Sequence, residues 1–256
     1  MATTVPRPAA TRKVIASKAP LPEQEHRGHV FMAIYATLVA LATLGFAALV
    51  VFVRDEDVLT TFDAPIARAI QGVHLPVLSW ILGHGGDFGW FPYNILAFAL
   101  VFVPLFVLRL RLEAAVITVS TLVAGGLGTL AKDLVQRARP SVAFVHVAAY
   151  LHDYSFPSGH VIFYKTLFGL TFWVVWMAWK NSLLRNVVLV VLAMLITVVG
   201  FSRVYLGEHW PSDVIGAYCL ASLWVVGTIE LLLALKPRLG AWWSGRPHRR
   251  RWTTLL

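Results

Sequence analysis

Residues 186–202 read NVVLVVLAMLITVVGFS, a run that contains no charged side chain. A helix needs about 20 apolar residues to cross the hydrocarbon core of a bilayer, so this stretch predicts a membrane span. The whole composition agrees, since 58% of the 256 residues are hydrophobic and 14% are charged. Average soluble chains have roughly 45–50% apolar and about 25% charged residues. The sequence therefore predicts an integral membrane protein.

Five further apolar windows bring the predicted number of spans to six. They cover residues 30–53, 88–108, 114–131, 161–179 and 214–235. The expected fold class is all-α, a membrane bundle of six transmembrane helices with short interfacial helices on its outer side. Residues 72–82 are apolar but too short to cross, and they contain Pro76. This pattern favours an interfacial or re-entrant segment.

The basic residues predict the orientation of the bundle. Most of the 22 lysines and arginines fall in the two tails and in the turns after residues 108 and 179. Short cytoplasmic loops collect Lys and Arg, so both termini are predicted to be cytosolic. We expect a disordered basic tail over residues 1–29, a six-span domain over 30–235 and a basic tail over 236–256. The net charge of +9 is then a topology signal, and no nucleic-acid partner is expected.

A second group of polar residues lies at the opposite ends of the predicted spans. Ionisable groups at membrane depth are costly and are usually functional. Because three of the group are cations, they predict a pocket for an anion. The group consists of Lys132, Arg139, Ser158, His160, Arg203, His209 and Asp213.

The spacing of these residues predicts how they come together. Lys132 and Arg139 are seven apart, so they are expected to share one face of a helix that Pro140 ends. Arg137 falls off that face, which favours contact with solvent or lipid headgroups.

Two further segments of the sequence complete the predicted pocket. His209 and Asp213 are four apart, which makes them neighbours on a helix that begins near Pro211. Residues 157–160, PSGH, are expected to present free N–H groups to an anion at the start of the fourth span. Gly159 leaves room for a phosphate to approach the backbone.

These residue types favour phosphoryl transfer. Cations and N–H donors neutralise the phosphoryl oxygens, and a histidine oriented by a carboxylate can attack phosphorus. A second histidine can protonate the leaving oxygen and later activate water. No cluster with metal-ligand spacing accompanies them, so the expected mechanism is metal-free hydrolysis through phosphohistidine. The residues alone leave open which histidine has which role.

The same residues match a family signature, K-x6-RP, then PSGH, then SR-x5-H-x3-D. The blocks lie at 132–140, 157–160 and 202–213, and every signature position is filled. The sequence thus resembles the membrane branch of the type 2 phosphatidic acid phosphatase (lipid phosphate phosphatase) superfamily.

This resemblance implies a cofactor-free membrane hydrolase whose active site faces away from the cytosol, with roles for individual residues. It makes His209 the nucleophile, Asp213 its partner and His160 the general acid. It places five residues around the phosphate, namely Lys132, Arg139, Ser158, Gly159 and Arg203. The implied substrates are phosphatidate, phosphatidylglycerol phosphate or a polyprenyl diphosphate, and the motifs do not discriminate among them. A bacterial plasma membrane is the expected location.

Two other functions remain compatible with the sequence. A lipid phosphotransferase would use the same phosphohistidine with an acceptor other than water, and a non-enzymatic six-span protein would use the pocket only to bind an anion. Lys165, two turns after Ser158, either snorkels to the interface or supplies a further cation to a diphosphate. The oligomeric state is not predicted.

Overall fold

The computed structural model describes residues 36–243, apart from positions 38 and 42. The predicted tail over 1–29 lies outside these residues, as does the predicted tail over 236–256 beyond residue 243. In the part of the chain that is described, the secondary structure is helical and contains no strand, which confirms the all-α class.

Nine α-helices are assigned within this described part. They are α1 (Val39–Phe52), α2 (Glu56–Val58), α3 (Ala64–Gln71), α4 (Pro76–His84), α5 (Tyr93–Val107), α6 (Arg111–Val135), α7 (Gly159–Ala178), α8 (Leu183–Tyr205) and α9 (Pro211–Trp243). A π-helical turn, Leu59–Asp63, joins α2 to α3, and a 3-10 turn, Asp87–Gly89, lies between α4 and α5.

Four of the described helices are long and apolar enough to cross a membrane: α6, α7, α8 and α9 over Pro211–Leu235. Helices α4 and α5 meet at a bend of 75°, and the count becomes five if that pair is one span. Helix α5 has 15 residues, about 22 Å at 1.5 Å per residue, which is shorter than a typical hydrocarbon core of about 30 Å. The protein is an integral membrane protein, but the predicted count of six spans is not confirmed. Part of the span predicted over residues 30–53 also lies outside the described residues.

Helix α7 occupies the centre of the bundle and packs against α6, α8 and α9. Apart from His160 and Lys165 its sequence carries no ionisable group other than Tyr164, and apolar residues occur all around it, as expected of a helix buried among others. Val161, Tyr164 and Leu167 are all fully buried. Because the PSGH segment leads directly into this helix, it is attached to the most tightly enclosed element of the fold.

The loop from α6 to α7 and the turn from α8 to α9, which carry or adjoin the predicted site residues, lie at one end of the bundle, which we call the site end. The turn from α4 to α5 lies at the same end. The basic turns from α5 to α6 and from α7 to α8 lie at the opposite ends of the same helices. The short helices α2 and α3 also pack at the site end, where Gln71 donates hydrogen bonds to the carbonyls of His146 and Tyr205.

Helix α6 ends earlier than predicted. Gln136 adopts a left-handed conformation with φ of 53° and closes the helix by a 2.8 Å bond from its N–H to the carbonyl of Lys132. Arg137 and Arg139 therefore follow the helix in a non-helical segment. The prediction that Lys132 and Arg139 share a helical face is wrong, because the helix ends at Val135, five residues before Pro140.

The turn from α8 to α9 depends on Gly207. This residue has φ of +65°, and a Cβ there would lie 1.9 Å from the carbonyl oxygen of His146. Only glycine satisfies both the conformation and the contact. The turn brings the chain to Pro211, where α9 begins, so the predicted start of the last helix is confirmed.

Candidate active site

A cavity of about 720 Å³ opens at the site end. Five of the predicted site residues line it: Lys132, Arg139, Gly159, His160 and His209. Ser158, Arg203 and Asp213 are fully buried behind its wall. Lys165 is half-buried on α7 and is not among the lining residues. The structure thus gathers three distant segments of the chain around one cavity.

His209 lies between a carboxylate and a cation. Its Nδ1 is 3.6 Å from Oδ2 of Asp213, and its Nε2 is 3.3 Å from Nη1 of Arg139. Because a guanidinium only donates hydrogen bonds, Nε2 acts as the acceptor and the proton resides on Nδ1. Burial lowers the pKa of His209 to about 4 despite the opposing effect of Asp213. At neutral pH, His209 is therefore neutral, with the lone pair of Nε2 on the cavity side.

Three polar atoms at the site are buried and have no hydrogen-bond partner among the described residues. They are Oγ of Ser158, Nε2 of His160 and Nε of Arg203. Ser158 is the N-cap of α7, yet its hydroxyl makes no capping bond. Each such atom costs about 1–3 kcal/mol when left unsatisfied. Unsatisfied polar atoms at one site suit a ligand that supplies the missing hydrogen-bond partners.

The start of α7 adds backbone donors to this set. The first hydrogen bond of the helix runs from the N–H of Ile162 to the carbonyl of Ser158. The amides of Gly159, His160 and Val161 therefore precede the helical ladder and have no acceptor within it. A helix N-terminus of this kind favours phosphate, as the sequence predicts.

Arg203 is fixed within the wall of the site. It is completely buried, and its Nη1 and Nη2 donate to Oε2 of Glu208 at 2.7 Å and to Oγ of Ser202 at 2.9 Å. Only its Nε remains unpaired. This arrangement leaves the N–H of Nε available to an anion, while the bonds of Nη1 and Nη2 hold the guanidinium in place.

The sequence favours a solvated position in the outer loop for Asp153, but the structure places this residue at the site. Its carboxylate pairs with Nζ of Lys132 and with Nη2 of Arg139, each at 2.6 Å. Partial burial raises the pKa of Asp153, but the two cations outweigh that effect and lower it to about 2. The carboxylate therefore stays ionised at neutral pH. A phosphate that binds Lys132 and Arg139 has to share these cations with Asp153 or displace its carboxylate.

The predicted contact of Arg137 with solvent or lipid headgroups is also wrong. Arg137 does not face headgroups: its side chain is buried and donates to Asp63 at 2.5 Å, and to Asp213 and Ser212 at 2.6 Å each. Neither the periodicity nor the motif indicates this contact, because Asp63 is far away in the sequence. The only available signal is an arginine two residues before Arg139 in the same polar segment.

A glycine-rich turn between α4 and α5 packs against one side of the site. A Cβ on Gly86 would lie 2.0 Å from Nη2 of Arg203, and a Cβ on Gly89 would lie 2.0 Å from Cδ2 of His160. Trp90 then packs edge-on against His160, with 4.6 Å between ring centroids. The turn therefore packs directly against two of the predicted site residues, Arg203 and His160. No local sequence pattern indicates this packing.

Replacing Gly89 by alanine tests this packing. The added methyl group has to displace the His160 ring, and a misplacement of about 1 Å can cost up to a hundredfold in rate. We expect Gly89→Ala to lower kcat for phosphate release roughly tenfold to a hundredfold. Gly83→Ala is the matched control, since nothing lies within 4 Å of a Cβ at that position. Equal activities of the two variants, corrected for folded protein by size-exclusion chromatography, would contradict the role of Gly89.

Comparison with known proteins relates this geometry to a family. The PAP2 superfamily model matches residues 113–236. An undecaprenyl-diphosphatase of Sulfolobus acidocaldarius is 32% identical over 149 residues, which cover 56% of this chain and 62% of that protein. Phosphatidylglycerophosphatase B of Bacillus subtilis is 33% identical over 107 residues, which cover 38% and 47%. The chain thus spans less than two thirds of the length of these relatives.

A solved structure shares the fold. The transmembrane PAP2 type phosphatidylglycerolphosphate phosphatase from Bacillus subtilis superposes with a TM-score of 0.66 at 21% identity, covering 75% of this chain and 94% of the other. At that identity the likeness concerns the fold alone. The segment that the PAP2 superfamily model matches, residues 113–236, carries all three motifs. This match confirms the resemblance to the superfamily that is seen in the sequence.

Proposed function

We propose that the protein hydrolyses lipid phosphate or diphosphate monoesters through a phosphohistidine intermediate, without a metal ion. The observation that carries the proposal is the setting of His209. A neutral imidazole has its Nε2 on the cavity side beside the Arg139 cation, and its Nδ1–H is directed towards Asp213. This is the arrangement of a nucleophile and its orienting group.

In the first step, Nε2 of His209 attacks phosphorus and the bond from phosphorus to the lipid oxygen breaks. His160 donates a proton to that oxygen, while Asp213 stabilises the positive charge that develops on the His209 ring. Lys132, Arg139, Arg203 and the first amides of α7 neutralise the phosphoryl oxygens. In the second step, water gives a proton to His160 and attacks phosphorus, the P–N bond breaks, and inorganic phosphate leaves.

The proposed active site faces the outer side of a bacterial plasma membrane. The support is the separation of charges between the two ends of the bundle. Arg109 and Lys180 lie in turns at the end opposite the site, and Arg111 and Arg185 lie in the first turns of α6 and α8 at that same end. Basic residues near the ends of spans favour the cytoplasmic side. A lipid phosphate would reach the cavity at the outer headgroup level.

The names of the relatives support a lipid substrate. One is called an undecaprenyl-diphosphatase and another a phosphatidylglycerophosphatase, so both a polyprenyl diphosphate and a phospholipid monophosphate belong in the test. A contact between Lys165 and the second phosphate of a diphosphate stays a prediction.

The proposed function predicts phosphate release by the purified protein in detergent, with EDTA present. The panel contains phosphatidate, phosphatidylglycerol phosphate and a polyprenyl diphosphate, and at least one of them should be hydrolysed at an unchanged rate when EDTA is added. Loss of activity in EDTA that Mg²⁺ restores would contradict the metal-free mechanism. Labelled phosphate appearing in another lipid instead of in solution would indicate the phosphotransferase. Binding of inorganic phosphate without turnover of any substrate would indicate the non-enzymatic alternative.

A further inference from the structure

The carboxylate of Asp213 is surrounded by donors other than His209. Its Oδ2 accepts from Oγ of Ser155 at 2.5 Å and from the N–H of Trp210 at 2.8 Å. Its Oδ1 accepts from Nη1 of Arg137 at 2.6 Å. Asp213 is completely buried, so these contacts fix the direction in which the carboxylate points. That direction determines how Asp213 meets the Nδ1–H of His209.

Arg137 contacts the carboxylate of Asp213 and does not line the cavity. Its side chain is 8% exposed, and it is not among the residues that line the cavity. Its two terminal nitrogens are used by Asp213, Ser212 and Asp63. Burial lowers the pKa of Arg137, but the carboxylates of Asp213 and Asp63 outweigh burial and raise it. Arg137 is therefore a permanent cation held between two buried carboxylates.

Asp63 holds Arg137 from the other side. It is completely buried at the end of the π-helical turn. Its Oδ2 accepts from Nη2 of Arg137 at 2.5 Å and from Oγ of Ser212 at 2.7 Å, and its Oδ1 accepts from the N–H of Ser212 at 2.9 Å. Asp63 thus binds both the guanidinium and the first turn of α9, the turn that carries Asp213.

From these contacts we infer that Arg137 and Asp63 are positioning residues for the phosphorylation of His209, an inference that rests on the proposed function. Arg137 keeps Asp213 ionised and aimed at His209, and Asp63 keeps Arg137 in place. Neither residue touches the substrate. A buried carboxylate that loses its cation is strongly disfavoured, so without Arg137 the Asp213 side chain takes up a proton or rotates away. In either case His209 loses the negative charge that stabilises its phosphorylated form.

Two inhibitors distinguish positioning from phosphate binding. Inorganic phosphate requires only the cations and amides of the cavity. Orthovanadate, in contrast, accepts a fifth ligand and imitates the transition state when Nε2 of His209 supplies that ligand. Arg137→Gln should therefore raise the inhibition constant of vanadate at least about tenfold, with that of phosphate changed less than about threefold. The value of kcat should fall roughly tenfold to a hundredfold, with little change in KM.

Two further variants complete the series. Arg137→Lys keeps the positive charge but cannot contact Asp213 and Asp63 through two separate nitrogens. This variant should therefore recover part of the kcat that Arg137→Gln loses. Asp63→Asn keeps an acceptor for Ser212. Its kcat should fall less than that of Arg137→Gln, and its inhibition constant for vanadate should rise less. Arg68→Gln is the matched control, because Arg68 lies on α3 close to Asp63 but is exposed, and it should behave as the wild type does.

Each alternative has its own signature. An equal rise in both inhibition constants, together with KM, would overturn the inference and make Arg137 a ligand of the phosphate. A loss of folded protein with unchanged kcat per folded molecule and unchanged vanadate inhibition would overturn it in favour of a purely structural role. A wild-type protein that hydrolyses none of the lipids would overturn both this inference and the proposed function. An active wild type with a fully active Arg137→Gln variant would overturn this inference alone.

Discussion

Replacing His209 by alanine is expected to lower kcat/KM for lipid phosphate hydrolysis at least about a thousandfold. In the proposed mechanism the side chain supplies the atom that attacks phosphorus. No other described imidazole in the cavity has both a buried carboxylate beside Nδ1 and a cation beside Nε2. The remaining activity would come from cations that bind the substrate without an attacking group. Initial rates of phosphate release, normalised to folded protein, measure the effect.

The specificity of this effect needs a second histidine as control. His74 is exposed and lies outside the cavity, so His74→Ala should retain the wild-type rate. Acid-labile, base-stable incorporation of labelled phosphate should occur in the wild type and be absent in His209→Ala. A His209→Ala protein that hydrolyses lipid within tenfold of the wild type would exclude His209 as the nucleophile.

Replacing His160 by asparagine should have an effect that depends on the leaving group. General acid catalysis contributes roughly 10²- to 10⁴-fold, and an alkoxide leaving from a lipid needs the proton. A p-nitrophenolate leaves without one, so phosphorylation of His209 by p-nitrophenyl phosphate should persist in the variant. In the proposed mechanism, hydrolysis of the phosphoenzyme needs His160 to activate water, so this second step should be slow in the variant.

The expected observation with His160→Asn is a burst of p-nitrophenol equal to the enzyme concentration, followed by slow turnover. Stopped-flow absorbance measures the burst, and phosphate release from the lipid measures the loss with the poor leaving group. If the first turnover falls by the same factor with both substrates, His160 is not the general acid. Asparagine keeps a polar side chain of similar reach, which limits the disturbance of the packing against Trp90 and Gly89.

The sequence predicts the parts of this protein that depend on local patterns. The absence of charge over 186–202 predicts a span, and the structure has α8 there. Pro211 marks the start of α9, and the spacing of His209 and Asp213 places their side chains together. Each of these features is set by residues within a turn or two of one another, where periodicity and helix-start signals apply directly.

Contacts that cross long stretches of the chain do not follow from local sequence patterns. The bond between Asp63 and Arg137 joins residues that are 74 positions apart, and no local pattern pairs them. Gln136 adopts a left-handed conformation that favours glycine or asparagine. Because it is a glutamine, its residue type does not predict that α6 ends there. The same limitation explains Gly86 and Gly89: they look like ordinary turn glycines until the fold brings Arg203 and His160 against them.

The position of Asp63 also bears on how such proteins can be recombined. The family match begins at residue 113, whereas the carboxylate that binds Arg137 and the first turn of α9 comes from residue 63. The part of this chain that builds the site is therefore larger than the segment that the family model matches. A chimera that transplants residues 113–236 into another scaffold would bring a buried arginine without its second counter-ion, unless the recipient supplies a carboxylate at the equivalent place. The crossover point for grafting substrate preference should accordingly lie before the π-helical turn and not at the edge of the shared motifs.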